Sequence, residues 1–171
     1  VSHMGQLFIY GEEDLVHDLE KVFPLDLQNL KINHSKYSFL MNDNAGIYDD
    51  LIITKIEGGF LIILNAACKE NDFKILSNLL NNKYKMNLDE KRSLVAIQGP
   101  KSADILNQII SNITGLSFMT GDWFEYEKQK IFITRSGYTG EDGFEVSLSN
   151  NLAERFTKEM INKGAKLIGL G

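Results

Sequence analysis

Two adjacent carboxylates, Asp49 and Asp50, stand between a turn-forming stretch at 42–46 and an apolar, strand-like segment at 51–56. Because side chains alternate across a strand, we predict that the two point to opposite sides, one solvated and the other facing inward. An inward carboxylate must be paired or hydrogen-bonded, and its pKa is then perturbed, as in groups that move protons or stabilise cations. The alternative interpretation is a pair of exposed turn residues.

A glycine-rich segment, 135–145, is the second candidate for chemistry. It reads Arg-Ser-Gly-Tyr-Thr-Gly-Glu-Asp-Gly-Phe-Glu. Its three glycines allow tight turns and a close approach to a ligand, and Tyr138 offers a flat ring and a hydroxyl. Glu145, on the strand that follows, could accept two parallel N–H bonds from an amino-heterocycle. The alternative is a long β-hairpin loop in which Glu145 is exposed.

The other reactive residue types give weaker signals. His3 precedes a strand and is expected to be a structural hydrogen-bonding group. The three histidines are not at metal-ligand spacing, so we predict no metal site. The single cysteine, Cys68, excludes an intramolecular disulfide, indicates a reducing compartment, and is expected to be a half-buried, unreactive thiol.

Composition limits the function classes. The 171 residues are 43% hydrophobic with a formal charge of −5, enough to bury a core without metals or disulfides. The acidic balance argues against nucleic-acid binding, and the longest apolar run, 60–64, is too short to span a membrane. Because the chain starts at Val1 and stops directly after an apolar segment, we expect a piece of a longer protein.

The elements that must position these groups follow from hydrophobic periodicity. Helical spacing of apolar residues predicts four helices, near 15–23, 73–84, 103–110 and 152–161. Short apolar runs predict eight strands, at 6–10, 37–41, 51–56, 60–64, 94–97, 123–126, 130–134 and 144–148. Hairpins outnumber β-α-β units, so we predict an α+β fold of mainly antiparallel sheets with packed helices, as two interleaved split-βαβ-like halves.

Together these segments resemble the aminomethyltransferases, or T-proteins, of the glycine cleavage system. The matching motifs run in the family's order from the first residue to the last. They are Val-Ser-His-Met-Gly-Gln at 1–6, Tyr37, Asn-Ala-Gly-Ile-Tyr-Asp-Asp-Leu-Ile at 44–52, Asn-Ala-Ala at 65–67, Ala-Ile-Gln-Gly-Pro-Lys at 96–101, the 135–145 string, and Gly-Leu-Gly at 169–171.

The resemblance implies a one-carbon transferase. In the family, the methylene of an S-aminomethyl-lipoyl group carried by the H-protein moves to tetrahydrofolate, and ammonia is released without a metal. We therefore expect tetrahydrofolate as cofactor and lipoylated H-protein as partner, in a bacterial cytoplasm or a mitochondrial matrix. Residues 1–171 would form the folate-binding region. The resemblance implies that the family's N-terminal segment and C-terminal β-rich domain lie outside these residues, so we expect this piece alone to be inactive.

The resemblance also assigns roles to five residues. Asp50 matches the family's catalytic carboxylate beside the folate, and Glu145 matches the acid that hydrogen-bonds the pterin ring. Tyr138, Tyr37 and Asn65 match residues that line the folate site. A carboxylate at Asp50 suits this chemistry, because it can stabilise cationic carbon and relay a proton.

Two positions depart from the family and two other functions remain open. Ala45 stands where a glycine is common, and Tyr48 where an aliphatic residue is usual. The alternatives are a folate-dependent demethylase or the folate domain of a sarcosine or dimethylglycine dehydrogenase, and a non-enzymatic folate-binding module. Because the fold alone does not fix function, the retained Asp50 is what favours an enzyme.

Overall fold

Nine strands form two antiparallel sheets in a computed structural model that describes residues 4–169. Each sheet belongs to one of two units. The N-terminal unit comprises residues 4–90 and the C-terminal unit comprises residues 91–169.

The N-terminal unit has a five-stranded sheet in the order β2-β3-β4-β1-β5. Its strands are β1 (Gly5–Tyr10), β2 (Ser35–Met41), β3 (Ile47–Ile56), β4 (Gly59–Leu64) and β5 (Lys85–Leu88). Its helices are α1 (Glu13–Glu20) and α2 (Lys69–Leu79). Strands β4 and β5 run in the same direction on either side of β1, and α2 connects them, which makes a split β-α-β unit.

The core of this unit lies between one face of the sheet and the two helices. Leu15 and Leu19, one helical turn apart in α1, are fully buried. Leu76 of α2 is buried in the same cluster as Leu51 and Ile53 of β3. Strand β4 is buried along its whole length, as expected for an interior strand with an unbroken apolar sequence.

The C-terminal unit has a four-stranded sheet in the order β6-β9-β8-β7. Its strands are β6 (Arg92–Gln98), β7 (Thr120–Tyr126), β8 (Gln129–Arg135) and β9 (Gly143–Ser149). Its helices are α3 (Ser102–Asn107), a 3-10 turn (Ile113–Gly115) and α4 (Asn150–Asn162).

Alternation along β9 separates the two faces of this sheet. Phe144, Val146 and Leu148 pack into the core with the helices. Glu145 and Ser147 therefore point to the opposite face, and Glu145 sits on an interior strand between β6 and β8.

The predicted α+β class with antiparallel sheets and four helices is confirmed. Two finer features differ. The units follow one another along the described chain rather than interleaving, and β6 and β7 lie at opposite edges of their sheet as antiparallel strands. Strand β5 was not predicted, because its sequence Lys-Met-Asn-Leu is short and only half apolar.

Candidate functional site

The amide of Asn65 joins the two adjacent aspartates. Leu51 pairs with Leu64, so the antiparallel register brings Asn65, the residue after β4, opposite Asp50. The Asn65 Nδ2 donates to Asp49 Oδ1 at 3.0 Å, to Asp50 Oδ1 at 3.2 Å and to the Asp50 carbonyl at 3.1 Å. The Asp50 backbone N–H also donates to Asp49 Oδ1, at 3.0 Å. One amide thereby fixes both carboxylates.

The aspartates face opposite sides of the sheet, as predicted from alternation. Asp49 pairs with Leu40, a fully buried core residue, so Asp49 faces inward. Asp50 pairs with Phe39 on the other face, where Tyr37 also lies. Both aspartates lie within β3 and are half-buried, so the alternative of two exposed turn residues is wrong.

Tyr37 belongs to the surroundings of Asp50. A hydrogen bond to the Asp50 carboxylate, together with partial burial and the nearby negative charges, raises the pKa of the Tyr37 phenol. The phenol therefore remains protonated at neutral pH. Tyr37 is 54% exposed, which leaves most of its ring free to contact a ligand.

A third carboxyl group lies beneath Asp49. Asp72, in the first turns of α2, is only 1% exposed, and both of its carboxyl oxygens are buried without a hydrogen-bond partner among the described residues. Burial, followed by the hydrogen bond to Asp49 and its negative charge, raises the pKa of Asp72 to about 7. Burial also acts to raise the pKa of Asp49, but hydrogen bonds from Asn65, Asp72, the Asp50 N–H and Cys68 hold it below the usual range.

Cys68 completes this cluster without becoming a nucleophile. The thiol precedes α2, is half-buried and hydrogen-bonds to Asp49. Burial and the negative charges of Asp49, Asp72 and Asp50 raise the pKa of Cys68. A thiol with a raised pKa is largely protonated at neutral pH and reacts slowly, as expected for a structural cysteine.

Glu145 is a buried acid with one hydrogen-bond donor. It is 8% exposed, and Ser136 Oγ donates to its Oε2 at 2.6 Å. Burial raises the pKa of Glu145, while the Ser136 hydrogen bond acts in the opposite direction. Among the described residues Oε1 receives no hydrogen bond. A ligand with adjacent N–H groups would fit this acid, because it would supply the donors that burial has removed.

Tyr138 lies beside Glu145 on the loop that connects β8 to β9. It is 64% exposed, yet partial burial of its hydroxyl and the negative charge of Glu145 raise the pKa of Tyr138. Its backbone N–H donates to Gln98 Oε1 at 3.2 Å. The Gln98 amide packs directly on Gly143, where a Cβ atom would overlap it. A side chain at this position would therefore displace the Gln98 amide from its contact with the Tyr138 N–H.

An ion pair braces the same loop. Arg135 donates to both carboxylate oxygens of Asp142, and its Nη1 donates to the Leu116 carbonyl at 2.8 Å. The Arg135 hydrogen bonds hold the pKa of Asp142 below its usual range. The Asp142 carbonyl in turn accepts the Gly99 N–H at 2.7 Å. These contacts fix the ends of the loop that carries Tyr138.

The five predicted site residues thus fall into two clusters. Asp50, Tyr37 and Asn65 meet in the N-terminal unit, and Glu145 and Tyr138 lie together in the C-terminal unit. His3 lies outside the described residues. The interpretation of Glu145 as an exposed loop residue is wrong, since it is buried on β9.

Sequence reasoning missed several members of these clusters. Asp72, Leu76 and Leu80 recur every four residues on the buried face of α2, so an acid within an apolar helical stripe was the available signal. Arg135 and Asp142 stand seven residues apart across a loop, and their pairing follows only from how that loop closes.

Within residues 4–169, the structure shows neither a metal-binding group of side chains nor a membrane-spanning helix. No three His, Cys, Asp or Glu side chains in this range are grouped so that they could hold a metal ion. No helix in the same range is long and apolar enough to cross a membrane.

Residues 1–171 match the family described as GCVT N-terminal domain. The chain belongs to this family. Relatives of this GCVT-domain chain include a mitochondrial aminomethyltransferase of Dictyostelium discoideum, 37% identical over 188 residues, which covers all of this chain and 46% of the relative. The aminomethyltransferase of Pseudothermotoga lettingae is 34% identical over 182 residues, covering all of this chain and 49% of that protein.

A solved structure agrees with the fold of the GCVT-domain chain. The crystal structure of the glycine cleavage system aminomethyltransferase T from Bartonella henselae superposes with a TM-score of 0.84 at 38% identity. The match covers 94% of this chain and 44% of that one. The chain therefore spans about half the length of the relatives it matches, and the predicted resemblance to glycine-cleavage aminomethyltransferases is confirmed.

Proposed function

We propose that the chain is the folate-binding region, residues 1–171, of a tetrahydrofolate-dependent aminomethyltransferase of glycine cleavage. The reaction would move the methylene of an S-aminomethyl-lipoyl group to tetrahydrofolate and release ammonia. The observation that supports this most strongly is the half-buried Asp50 carboxylate, held by Asn65 on the face of the sheet where Tyr37 also lies.

Asp50 is the catalytic residue in this proposal. Tetrahydrofolate, when bound, would accept the one-carbon unit at its nitrogens. The Asp50 carboxylate can stabilise positive charge at the carbon in transit and can accept a proton released from nitrogen. Because Asn65 already orients Asp50, little reorganisation accompanies the appearance of positive charge.

Glu145 and Tyr138 are the proposed pterin-binding residues. Glu145 is 8% exposed, and its Oε1 is an acceptor that a ring amino group and an adjacent ring N–H could satisfy. Tyr138 presents an exposed aromatic face beside this acid, suitable for stacking on a flat heterocycle. The exposed ring of Tyr37 and the amide of Asn65 would line the folate site near Asp50.

The proposed macromolecular partner is the lipoylated H-protein of glycine cleavage, without nucleic acid or membrane. The proposed location follows the relatives. The Dictyostelium protein carries the word mitochondrial in its name, so a eukaryotic source would place this chain in the mitochondrial matrix, and a bacterial source in the cytoplasm.

A transfer assay with the full-length protein tests the proposal. Purified protein is mixed with H-protein carrying the S-aminomethyl-lipoyl group, with and without tetrahydrofolate, and ammonia release is followed. We expect release that depends on tetrahydrofolate. If a methylated amine or sarcosine supports folate-dependent transfer and the H-protein does not, the demethylase alternative replaces the proposal.

A further inference from the structure

Three buried carboxyl oxygens in the N-terminal unit have no hydrogen-bond partner among the described residues. They are both oxygens of Asp72 and the Oδ2 of Asp49. Asp49 Oδ1 is already used, because it accepts from Asn65 Nδ2 and from the Asp50 N–H. Two ionised carboxylates in contact inside a protein repel each other and lack solvation, so one of them must hold a proton.

We propose that Asp49 and Asp72 share one proton, carried by Asp72 and donated to Asp49 Oδ2, and that this acid pair makes Asp72 a positioning residue for Asp50. The donated hydrogen bond keeps Asp49 ionised and oriented. Asp49 Oδ1 then holds the Asn65 amide and the Asp50 N–H, and Asn65 holds the Asp50 carboxylate. The effect on turnover rests on the proposed function, whereas the shared proton does not.

The proton belongs on Asp72 because the two acids have different surroundings. Asp49 receives hydrogen bonds from Asn65, from a backbone N–H and from the Cys68 thiol, all of which favour its charged form. Asp72 is 1% exposed and has only Asp49 as a partner. Burial without donors favours the neutral acid.

Few other charges bear on this pair. The ionisable groups that face Asp72 are Asp49 from β3 and the Cys68 thiol at the start of its own helix. Strand β1, which packs against α2, carries no acid, amine or histidine. Asp50 lies beyond Asn65 and adds only a further negative charge. No cation among these groups would favour ionisation of Asp72.

A carboxyl titration of the full chain tests the shared proton without any ligand. Aspartate labelled with carbon-13 at the side-chain carboxyl is incorporated, and each resonance is followed against pH by NMR. We expect one aspartate to titrate near pH 7 and its resonance to be absent in Asp72→Asn. In Asp49→Asn the Asp72 midpoint should fall, because the neighbouring negative charge is gone.

Glu70→Gln is the matched control for this titration. Glu70 lies two residues before Asp72 in the first turn of α2, but its side chain is exposed. The Glu70→Gln substitution removes one negative charge from the same helix turn, and the near-neutral titration midpoint of Asp72 should remain. The proposal is overturned if every aspartate titrates below about pH 5, or if the near-neutral resonance persists in Asp72→Asn.

The transfer assay tests the positioning role. Asp72→Asn retains an N–H donor for Asp49, whereas Asp72→Leu has none. We expect kcat to fall at least about tenfold further in Asp72→Leu than in Asp72→Asn, with KM for tetrahydrofolate changing less than kcat. Equal kcat in the two variants would remove Asp72 from the positioning of Asp50.

The two proposals fail separately. A near-neutral aspartate in a protein without folate-dependent transfer would leave the shared proton standing and end the proposed function. Folate-dependent transfer in a protein whose aspartates all titrate in the acidic range would do the reverse. If Asp72→Leu does not fold, the titration of the unsubstituted chain still decides whether the proton is shared.

Discussion

Arg135 donates two parallel hydrogen bonds to the Asp142 carboxylate, from Nε at 2.9 Å and from Nη2 at 2.7 Å. The same guanidinium reaches the Leu116 carbonyl and lies 5.3 Å from the centre of the Phe144 ring. The planar fork of arginine can make all these contacts at once, which the single ammonium of lysine cannot. The conformation of the loop that carries Tyr138 therefore depends on this one side chain.

Arg135→Lys tests that dependence. We expect it to lower the free energy of unfolding by about 1–2 kcal/mol, because the bidentate pair and the carbonyl contact are lost together. Denaturant unfolding measures the change. Arg155→Lys is the control: Arg155 pairs with Glu127 and Glu159 but is largely exposed, so its effect should stay within about 0.5 kcal/mol. Equal losses in the two variants would contradict the brace.

Asp50→Asn should affect chemistry and leave binding almost intact. The amide keeps the size of the carboxylate but cannot accept a proton or balance positive charge, so we expect kcat to fall by at least about tenfold. The folate dissociation constant should change little. The transfer assay and a folate titration give the two values. Asp43→Asn, in the exposed turn before β3, is the control, and an unchanged kcat in Asp50→Asn would exclude Asp50 from the mechanism.

Glu145→Gln should affect binding first. Its amide oxygen can still accept the Ser136 hydrogen bond, but the other oxygen becomes an N–H donor facing the ligand's donors. We expect the folate dissociation constant to rise by about tenfold or more. Isothermal titration with Glu141→Gln, an exposed residue of the same segment, provides the comparison. Equal affinity of Glu145→Gln and the unsubstituted protein would end the pterin-binding role.

The stability of the chain should depend on Asp72 in a defined pH window. Its pKa is raised from 3.8 to about 7 in the folded state, so the folded state binds the proton more tightly than the unfolded state does. This contribution to stability is complete below about pH 4 and is lost as the pH rises to about 7. The lowered pKa of Asp49 acts in the opposite direction, at more acidic pH.

Asp72→Asn removes this pH dependence. Relative to the unsubstituted protein, the variant should gain stability between about pH 4 and pH 7, by an amount of the order of 4 kcal/mol. Urea unfolding at a series of pH values measures the difference. A difference that stays constant across the window would mean that Asp72 is ionised throughout.

Ala45 is strained in the turn before β3. Its φ is 60°, in the left-handed region that favours glycine. Asn42 Oδ1 holds this turn by accepting the N–H groups of Asn44 and Gly46. Ala45→Gly should raise the unfolding free energy by about 0.5–1 kcal/mol, since glycine adopts this conformation without a Cβ clash. Ala67→Gly, outside the left-handed region, is the control, and a loss of stability in Ala45→Gly would contradict the strain.

Periodicity predicted most of the fold because most elements bury one regular face. Leu15 and Leu19 marked α1, and the apolar run of β4 marked a buried strand. The end of α2 was placed too late, because Tyr84 continues the apolar spacing although the helix ends at Leu79. Tyr84 is instead held by a hydrogen bond to Asp18, a contact between residues 66 positions apart. Local patterns contain no information about such contacts.

The candidate site could be predicted where its residues are neighbours in the sequence. Strand alternation was enough to send Asp49 and Asp50 to opposite faces. The link between Asn65 and these carboxylates depends on the pairing of β3 with β4, which fixes the partner of each residue only after the hairpin has formed. The approach of Asp72 to Asp49 further depends on how α2 docks. Both contacts form only in the tertiary structure. For the approach of Asp72 to Asp49, the only sign in the sequence was an acid within the apolar stripe of α2.

The pairing of β3 on both of its edges has a consequence for tolerance to insertions. Strand β4 fixes β3 through the short Glu57-Gly58 hairpin, while the 42–46 turn joins β3 to β2 beside an irregularity at Leu40 and Met41. An extra residue at the 42–46 turn can be absorbed at that irregularity, so Asp49 and Asp50 keep their faces. An extra residue after Asp50 would shift both aspartates by one place relative to β4. Each aspartate would then point to the other face of the sheet, and Asp50 would face the core in place of Asp49.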